Sequence, residues 1–286
     1  MLRELARYHR PGSLQDALKL LKQPRTLALA GGTELLGRSD TLTEGLVDLQ
    51  DAGLDYVRAN DDGIHIGAMT RLQTFLDHPT LTALAGGLPG RAVLTSMPNT
   101  ERQAATVGGA MAAGPAESDL LASLLVLDAA VEIQTAESRT LVPAEALLAH
   151  RRRYLTHDAI ISEIILPVQP HGALYASERV SRTPADRAIV CLVVRLVQRD
   201  GKFYDVRLAA GGTAVHVMRL TAAEAVLEGS PHEASHVEDA ARAAMNAVSP
   251  PNDHLATGDY RRAMTGVLLT RVVNEARASA RSDKHA

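Results

Sequence analysis

The chain has 286 residues, 46% of them hydrophobic, which supplies a sizeable core for one large or two smaller domains. With two Phe, six Tyr and no Trp, that core must be built from Ala, Leu and Val. A formal net charge of −3 argues against a general nucleic-acid binder, and a single cysteine, Cys191, excludes a disulfide framework or an iron–sulfur cluster ligated within the chain.

The N-terminal stretch has no apolar signal core, and no apolar run approaches the roughly 18 residues of a membrane span, so a cytoplasmic protein is expected. Ser13 is placed to cap a helix over 14–21, with Leu14, Ala17, Leu18 and Leu21 on one face. Short strands are expected over 26–30 and 46–49. The turn Asp61-Asp62-Gly63 leads to a returning strand over 64–68. Thr70 reads as the cap of a helix over 71–76. Residues 81–94 read as a helix broken at Gly86-Gly87 and Pro89-Gly90. A helix over 118–127 follows, then a strand pair over 129–135 and 139–142, and a strand over 159–166 ended by Pro167. Residues 167–172 form the expected linker.

Beyond the linker, strands are expected over 173–180, 189–199 and 203–210, the last two joined by the hairpin signal Asp200-Gly201. Helices over 220–227, 233–248 and 260–278 complete the chain, and the polar residues 279–286 are expected to fray. Strands followed by helices predict a separate α+β domain.

Two side-chain-poor stretches carry the chemistry. One is Leu29-Ala30-Gly31-Gly32-Thr33-Glu34-Leu35. The other runs from Ala105 through Thr106-Val107-Gly108-Gly109-Ala110 to Asp119. Consecutive backbone N–H groups in glycine turns can converge on a diphosphate with no side chain in the way. Thr33 and Thr106 add hydroxyls, and Asp119 could accept from a ribose or an adenine edge. On glycine content alone, two tight turns is the plainer reading. Neither stretch is GxGxxG, so a doubly wound dinucleotide fold is not expected. Ala-Gly-Gly-Thr recurs at 210–213, which reads as shared turn chemistry or chance.

The order of the pieces adds more. AGGTELL after a strand, then Ile66-Gly67-Ala68-Met69-Thr70, then ATVGGA with a proline and Asp119, resembles the FAD-binding medium subunit of the molybdenum hydroxylases. The resemblance continues through Ser181-Arg182, Ala185 to Ala188, Asp205 to Gly212, Ala223 to Gly229 and Asp259 to Arg262, so it spans nearly the whole chain. It implies an α+β fold: a two-subdomain FAD-binding domain of the VAO/PCMH type over 1–170, then a smaller domain over 171–286 with a three-stranded antiparallel sheet plus helices. The cofactor implied is FAD. Residues 29–35 and 106–110 would hold its diphosphate and ribose, Asp119 would face the adenosine half, Ile161 and Ile164 would line the flavin, and Arg187 would reach the isoalloxazine. The implied function is an oxidoreductase subunit that takes electrons from [2Fe–2S] clusters and passes them to an external acceptor, with no catalytic side chain and no metal of its own. The implied partners are a large molybdopterin subunit and a small [2Fe–2S] subunit, in a dimer of heterotrimers. A stand-alone flavin oxidoreductase and a flavin-free scaffold are the competing readings.

The chain departs from the family pattern at several places. Ala110 stands where Asn or Ser is frequent, Gln103 replaces an Asn, and Pro115 sits one place early relative to Asp119. Glu178 stands where relatives often carry Lys, and Arg187 occupies the middle of the Asp-x-Ala motif. A Glu178–Arg187 pair near the flavin is one reading of this, and two solvated surface charges is the other. His232-Glu233-Ala234-Ser235-His236 matches HExxH, but Gly229-Ser230-Pro231 puts it at a helix start and no third ligand follows. Cys191 lies in an apolar strand and reads as an inert core residue. Arg151-Arg152-Arg153 reads as a solvated face.

Overall fold

The computed structural model describes residues 5–37, 42–184 and 186–282. In chain order the elements begin with β1 (Arg7–His9), α1 (Leu14–Leu21), β2 (Thr26–Leu29), β3 (Gly45–Asp48), β4 (Val57–Asn60) and β5 (Gly63–Gly67). Six helices follow: α2 (Thr74–Asp77), α3 (Pro79–Ala83), α4 (Leu88–Ser96), α5 (Asn99–Ala104), α6 (Val107–Ala113) and α7 (Asp119–Val126). Then come β6 (Ala130–Gln134), β7 (Arg139–Pro143), α8 (Ala144–Ala149), α9 (Arg151–Tyr154) and β8 (Ile160–Pro167). The chain continues with β9 (Ala173–Val180), β10 (Val190–Arg199), β11 (Lys202–Gly211), β12 (Met218–Arg219), α10 (Thr221–Leu227), α11 (Ala234–Ala247) and α12 (Gly258–Ser282). No described helix is long and apolar enough to cross a membrane.

The elements fall into two compact units. The first is Met1–Phe75, Pro98–Gly114 and Asp128–Val168; the second is Leu76–Met97, Pro115–Leu127 and Gln169–Ala286.

The first unit holds a three-stranded parallel sheet in the order β1-β3-β2 and a five-stranded antiparallel sheet in the order β4-β5-β8-β6-β7. Ser13 caps α1 by accepting from Asp16 N–H, and Leu18 and Leu21 pack with Val47, Leu54 and Ile160. The central strand β8 is apolar because it has neighbours on both edges: Ile164 stands opposite Ile66 on one side and Val131 on the other. Two carboxylates, Glu132 and Glu163, also stand opposite each other on buried strands. Each has its own donors. Ser162 and Gln134 reach Glu132 at 2.6 Å, while Tyr56 Oη at 2.8 Å and His65 Nδ1 at 2.9 Å reach Glu163.

The second unit is a four-stranded antiparallel sheet, β12-β11-β10-β9, with α10, α11 and α12 packed on one face and α7 on the other. The three expected strands are present, and the two-residue β12 adds a fourth. Alternation along β10 separates the faces. Val190, Leu192, Val194 and Leu196 join the core with the long helices, while the Cys191 Sγ lies 3.6 Å from Glu117 O, just ahead of α7. Asp200 and Gly201 both take positive φ, 49° and 73°, as a two-residue type I′ hairpin requires.

Several expectations are corrected. Thr70 does not cap a helix: its hydroxyl donates to Tyr56 O, residues 71–72 bridge to the chain at 105–106, and the helix starts at Thr74. Pro89 and Gly90 do not break a helix. They lie in the first turn of α4, where proline is tolerated because its missing N–H would be unpaired anyway. The stretch after Thr106 is a helix, α6, rather than a loop. α12 continues to Ser282, past the expected end at 278, and residues 283–286 lie outside the described residues.

Candidate functional site

Three stretches far apart in sequence converge within the first unit. The parallel strand β2 ends at Leu29, paired with Asp48, and the chain turns through Ala30 to Leu35. Gly31 packs so closely on the second stretch that a Cβ there would lie 1.9 Å from Ala104 O and 3.0 Å from Ala105 Cα. Only glycine permits that approach. Gly32 takes φ 74°, and a Cβ on Gly109 would come within 4.0 Å of Ala30 Cβ. The two glycine stretches therefore meet.

The third stretch is Ile66–Thr70, which underlies the second. Gly108 N–H donates to Ala68 O (2.9 Å), Val107 N–H to Thr70 O (3.0 Å) and Leu72 N–H to Ala105 O (2.9 Å). A Cβ on Gly108 would sit 2.6 Å from the Ala68 Cβ. Ala68 N–H in turn donates to Ser162 O at 3.0 Å, so β8 braces the same stack. Ile161 and Ile164 are core residues of that strand.

The amides of the two glycine stretches are not equivalent. Those of Gly108, Gly109 and Ala110 are already used: Gly108 donates to Ala68 O, Gly109 to Thr106 Oγ1 at 3.1 Å and Ala110 to Thr106 O at 2.9 Å. The expectation that Gly108-Gly109 offers a free pair of donors is thus corrected. The Thr106 cap and the start of α6 consume those of Gly109 and Ala110, and the Ile66–Thr70 stretch takes that of Gly108. Among the described residues, by contrast, no acceptor meets the N–H groups of Gly31, Gly32, Thr33 and Glu34. Thr106 Oγ1, having accepted from Gly109, still has a hydroxyl hydrogen to donate.

A cleft of about 390 Å³ opens at this junction, lined by Ala30 and Gly31 from the first stretch and by Ala104 and Thr106 from the second. Met69, Arg71, Gln103, Arg10, Gln50, Asp51 and Asp55 complete it. Its size suits the diphosphate and ribose portion of a dinucleotide rather than the whole. Arg10 grips Asp51 with two bonds of 2.6 and 3.0 Å, and this holds the Asp51 carboxyl below the usual carboxylate range. Arg10, Asp51 and Arg71 escaped the sequence reading. Arg71 directly follows the Ile66–Thr70 motif and could have been found there. Arg10 and Asp51 are paired only by the fold.

The remaining expected residues lie in the second unit. Asp119 opens α7 behind the cap Ser118 and is 7% exposed. Burial pushes its carboxyl up, while Arg179, 3.2 Å from Oδ2, opposes that shift. Arg179 also donates to Thr95 O at 3.0 Å and to Asp186 O. Arg187 is exposed. The expected Glu178–Arg187 pair is corrected: among the described residues no ion pair joins them. Arg187 lies between β9 and β10, and alternation along β9 sets where Glu178 faces. Arg179 and its cross-strand partner Cys191 face α7, whereas Glu178, opposite Leu192, faces Glu275 on α12. Burial raises the Cys191 thiol well above its ordinary value.

The HExxH stretch does not make a metal centre. His232 precedes α11, stacks on Phe203 with ring centroids 4.3 Å apart, and meets Gln198 at 2.7 Å. Among the described residues no group of three or more His, Cys, Asp or Glu is arranged to hold a metal.

Residues 3–169 match the family described as the FAD binding domain in molybdopterin dehydrogenase, and residues 175–276 match the CO dehydrogenase flavoprotein C-terminal domain. The chain is 32% identical to the carbon monoxide dehydrogenase medium chain of Afipia carboxidovorans, over 96% of this chain and 98% of that one. It is 29% identical to the nicotine 6-hydroxylase medium subunit of Paenarthrobacter nicotinovorans, over 95% and 97%. In structure it matches a chain of carbon monoxide dehydrogenase from Hydrogenophaga pseudoflava with a TM-score of 0.89 and 27% identity, over 97% and 99%.

Proposed function

This chain belongs to the FAD-binding family of the molybdopterin dehydrogenases, and on that premise we propose that its first glycine turn holds the diphosphate of FAD. It is the FAD-carrying medium subunit of a molybdenum hydroxylase, an oxidoreductase component. The observation that carries the assignment of the turn is the run of four amides, Gly31 to Glu34, that meet no acceptor among the described residues, beside the cleft shared with Thr106. Neutral donors fixed by the backbone bind an anion without reorganising, because the packing of Gly31 on Ala104 has already set them. Thr106 would add its hydroxyl, and the turn from Leu29 to Leu35 with Val107 to Ala110 would enclose the ribose. Ile161 and Ile164 would back the flavin, Asp119 would face the adenosine half and Arg187 would reach the isoalloxazine.

Bound FAD supplies both one- and two-electron chemistry, which suits a relay from [2Fe–2S] clusters to an external acceptor. This chain's own residues bind and orient the cofactor. The primary substrate belongs to a large molybdopterin subunit, and a small [2Fe–2S] subunit delivers the electrons in a cytoplasmic dimer of heterotrimers. On this reading the chain divides into an FAD-binding domain over 1–170 and a C-terminal domain over 171–286, and the family matches at 3–169 and 175–276 support it.

Titration of the purified chain with FAD tests the assignment. The flavin absorption bands are expected to shift on binding, and riboflavin, which lacks the diphosphate, is expected to bind far more weakly. Equal affinity for the two would remove the glycine turn from the site.

A further inference from the structure

We propose that Arg71 is the charged contact for the FAD diphosphate, a positioning residue that sets affinity; this rests on the site assigned above. The donors described so far, four amides and one hydroxyl, are all neutral. A diphosphate carries roughly two negative charges, and a guanidinium offers planar donors that match phosphate oxygens.

Two arginines line the cleft. Arg10 is committed to Asp51 by its two-bond grip, so that pair adds little net charge. Arg71 is different. Its side chain is exposed at the cleft, and among the described residues it forms no ion pair. Asp55 also lines the cleft and forms no ion pair among the described residues, so a cation is needed there if an anion is to enter.

The backbone of Arg71 is fixed relative to the other donors. It bridges Thr106 in an antiparallel pair, flanked by Val107 N–H to Thr70 O and Leu72 N–H to Ala105 O. Thr74 N–H holds the Arg71 carbonyl at 3.0 Å. The guanidinium therefore swings from a root beside the Thr106 hydroxyl, and its reach is the same cleft that the Gly31 turn borders. The side chain is free while its Cα is anchored, as a group that closes on an arriving anion requires.

The test uses the full-length chain, with FAD and riboflavin as probes, at low and moderate salt. Arg71→Ala is expected to weaken FAD binding roughly tenfold, as loss of one hydrogen-bonded charge contact does. Arg71→Lys should restore part of it, and the salt dependence of FAD binding should flatten in the alanine variant. Riboflavin binding should not change. The proposal is overturned if Arg71→Ala binds FAD within about twofold of the parent, or if riboflavin loses affinity by the same factor. A parent chain that binds FAD beside an unaffected Arg71→Ala leaves the glycine-turn site standing and removes only Arg71. A parent chain that takes up no FAD removes both.

Discussion

Ala30–Thr33 and Ala210–Thr213 are the same four residues, one in each unit. Their backbones agree as well: the second glycine has φ 74° in the first and 75° in the second. In both, the first glycine abuts a neighbour, Ala104 O in one and Cys191 Sγ in the other. The hydrogen bonds differ. Gly212 N–H is given to Ala116 O at 2.8 Å, its carbonyl is taken by Arg261, and Thr213 is fully buried. Among the described residues Gly32 N–H has no acceptor, and Thr33 is exposed. The same tetrapeptide makes a structural joint where its surroundings satisfy its amides, and an anion cradle where they do not. Glycine content selects the turn; the neighbours decide its use.

The largest effects should come from filling the first and second glycines with a methyl group. Gly31→Ala would place a Cβ 1.9 Å from Ala104 O, and Gly212→Ala one 2.1 Å from Ile189 O. Each should cost about 3 kcal/mol or more, measured by denaturant unfolding. In the folded fraction, Gly31→Ala should lose FAD uptake and Gly212→Ala should keep it; loss of flavin in both would break the contrast.

Arg261→Met comes next. Arg261 is buried and donates to Ile189 O and Gly212 O, so its loss leaves two carbonyls short of a donor at about 2 kcal/mol, with FAD affinity unchanged. Its salt-bridge partner gives a pH signature. The hydrogen bond from Arg261 lowers the Asp253 carboxyl from its ordinary value to about 2. A depressed carboxylate stabilises the fold above its unfolded pKa, and that contribution is lost as pH falls from about 4 through about 2. Because Asp253 is partly exposed the effect should be small, and the acid limb of the unfolding profile should flatten in Asp253→Asn.

Gly32→Ala is milder, because its Cβ would meet only the Leu36 side chain, at 2.9 Å. The left-handed backbone should still cost about 1–2 kcal/mol, with a parallel fall in FAD affinity. Thr106→Ala should remove the α6 cap at about 1 kcal/mol, while Thr106→Ser keeps both cap and flavin, read from thermal melts and FAD titrations.

Local chemistry was legible where a single short-range cause dominates. The Ser13 cap placed the start of α1, the Asp200-Gly201 pair placed the β10–β11 hairpin, and the apolar run before Pro167 placed β8. The glycine stretches were legible as turns or close approaches because few other residues tolerate them. The Thr70 cap failed because the hydroxyl found a carbonyl, Tyr56 O, in the segment just before β4. Glu178–Arg187 failed because Glu178 lies on the face of β9 that meets Glu275 on α12, whereas Arg187 is exposed in the segment before β10.

From the residues alone one could read where the chain turns, which segments bury an apolar face, and a family order of motifs that points to a flavin. Only the fold could show that Gly31 touches Ala104, that Arg10 pairs with Asp51 while Arg71 forms no ion pair among the described residues, and that one glycine pair keeps its amides while the other spends them. A turn is dictated by backbone sterics within a few residues, whereas the fate of its N–H groups depends on acceptors brought in from distant parts of the chain.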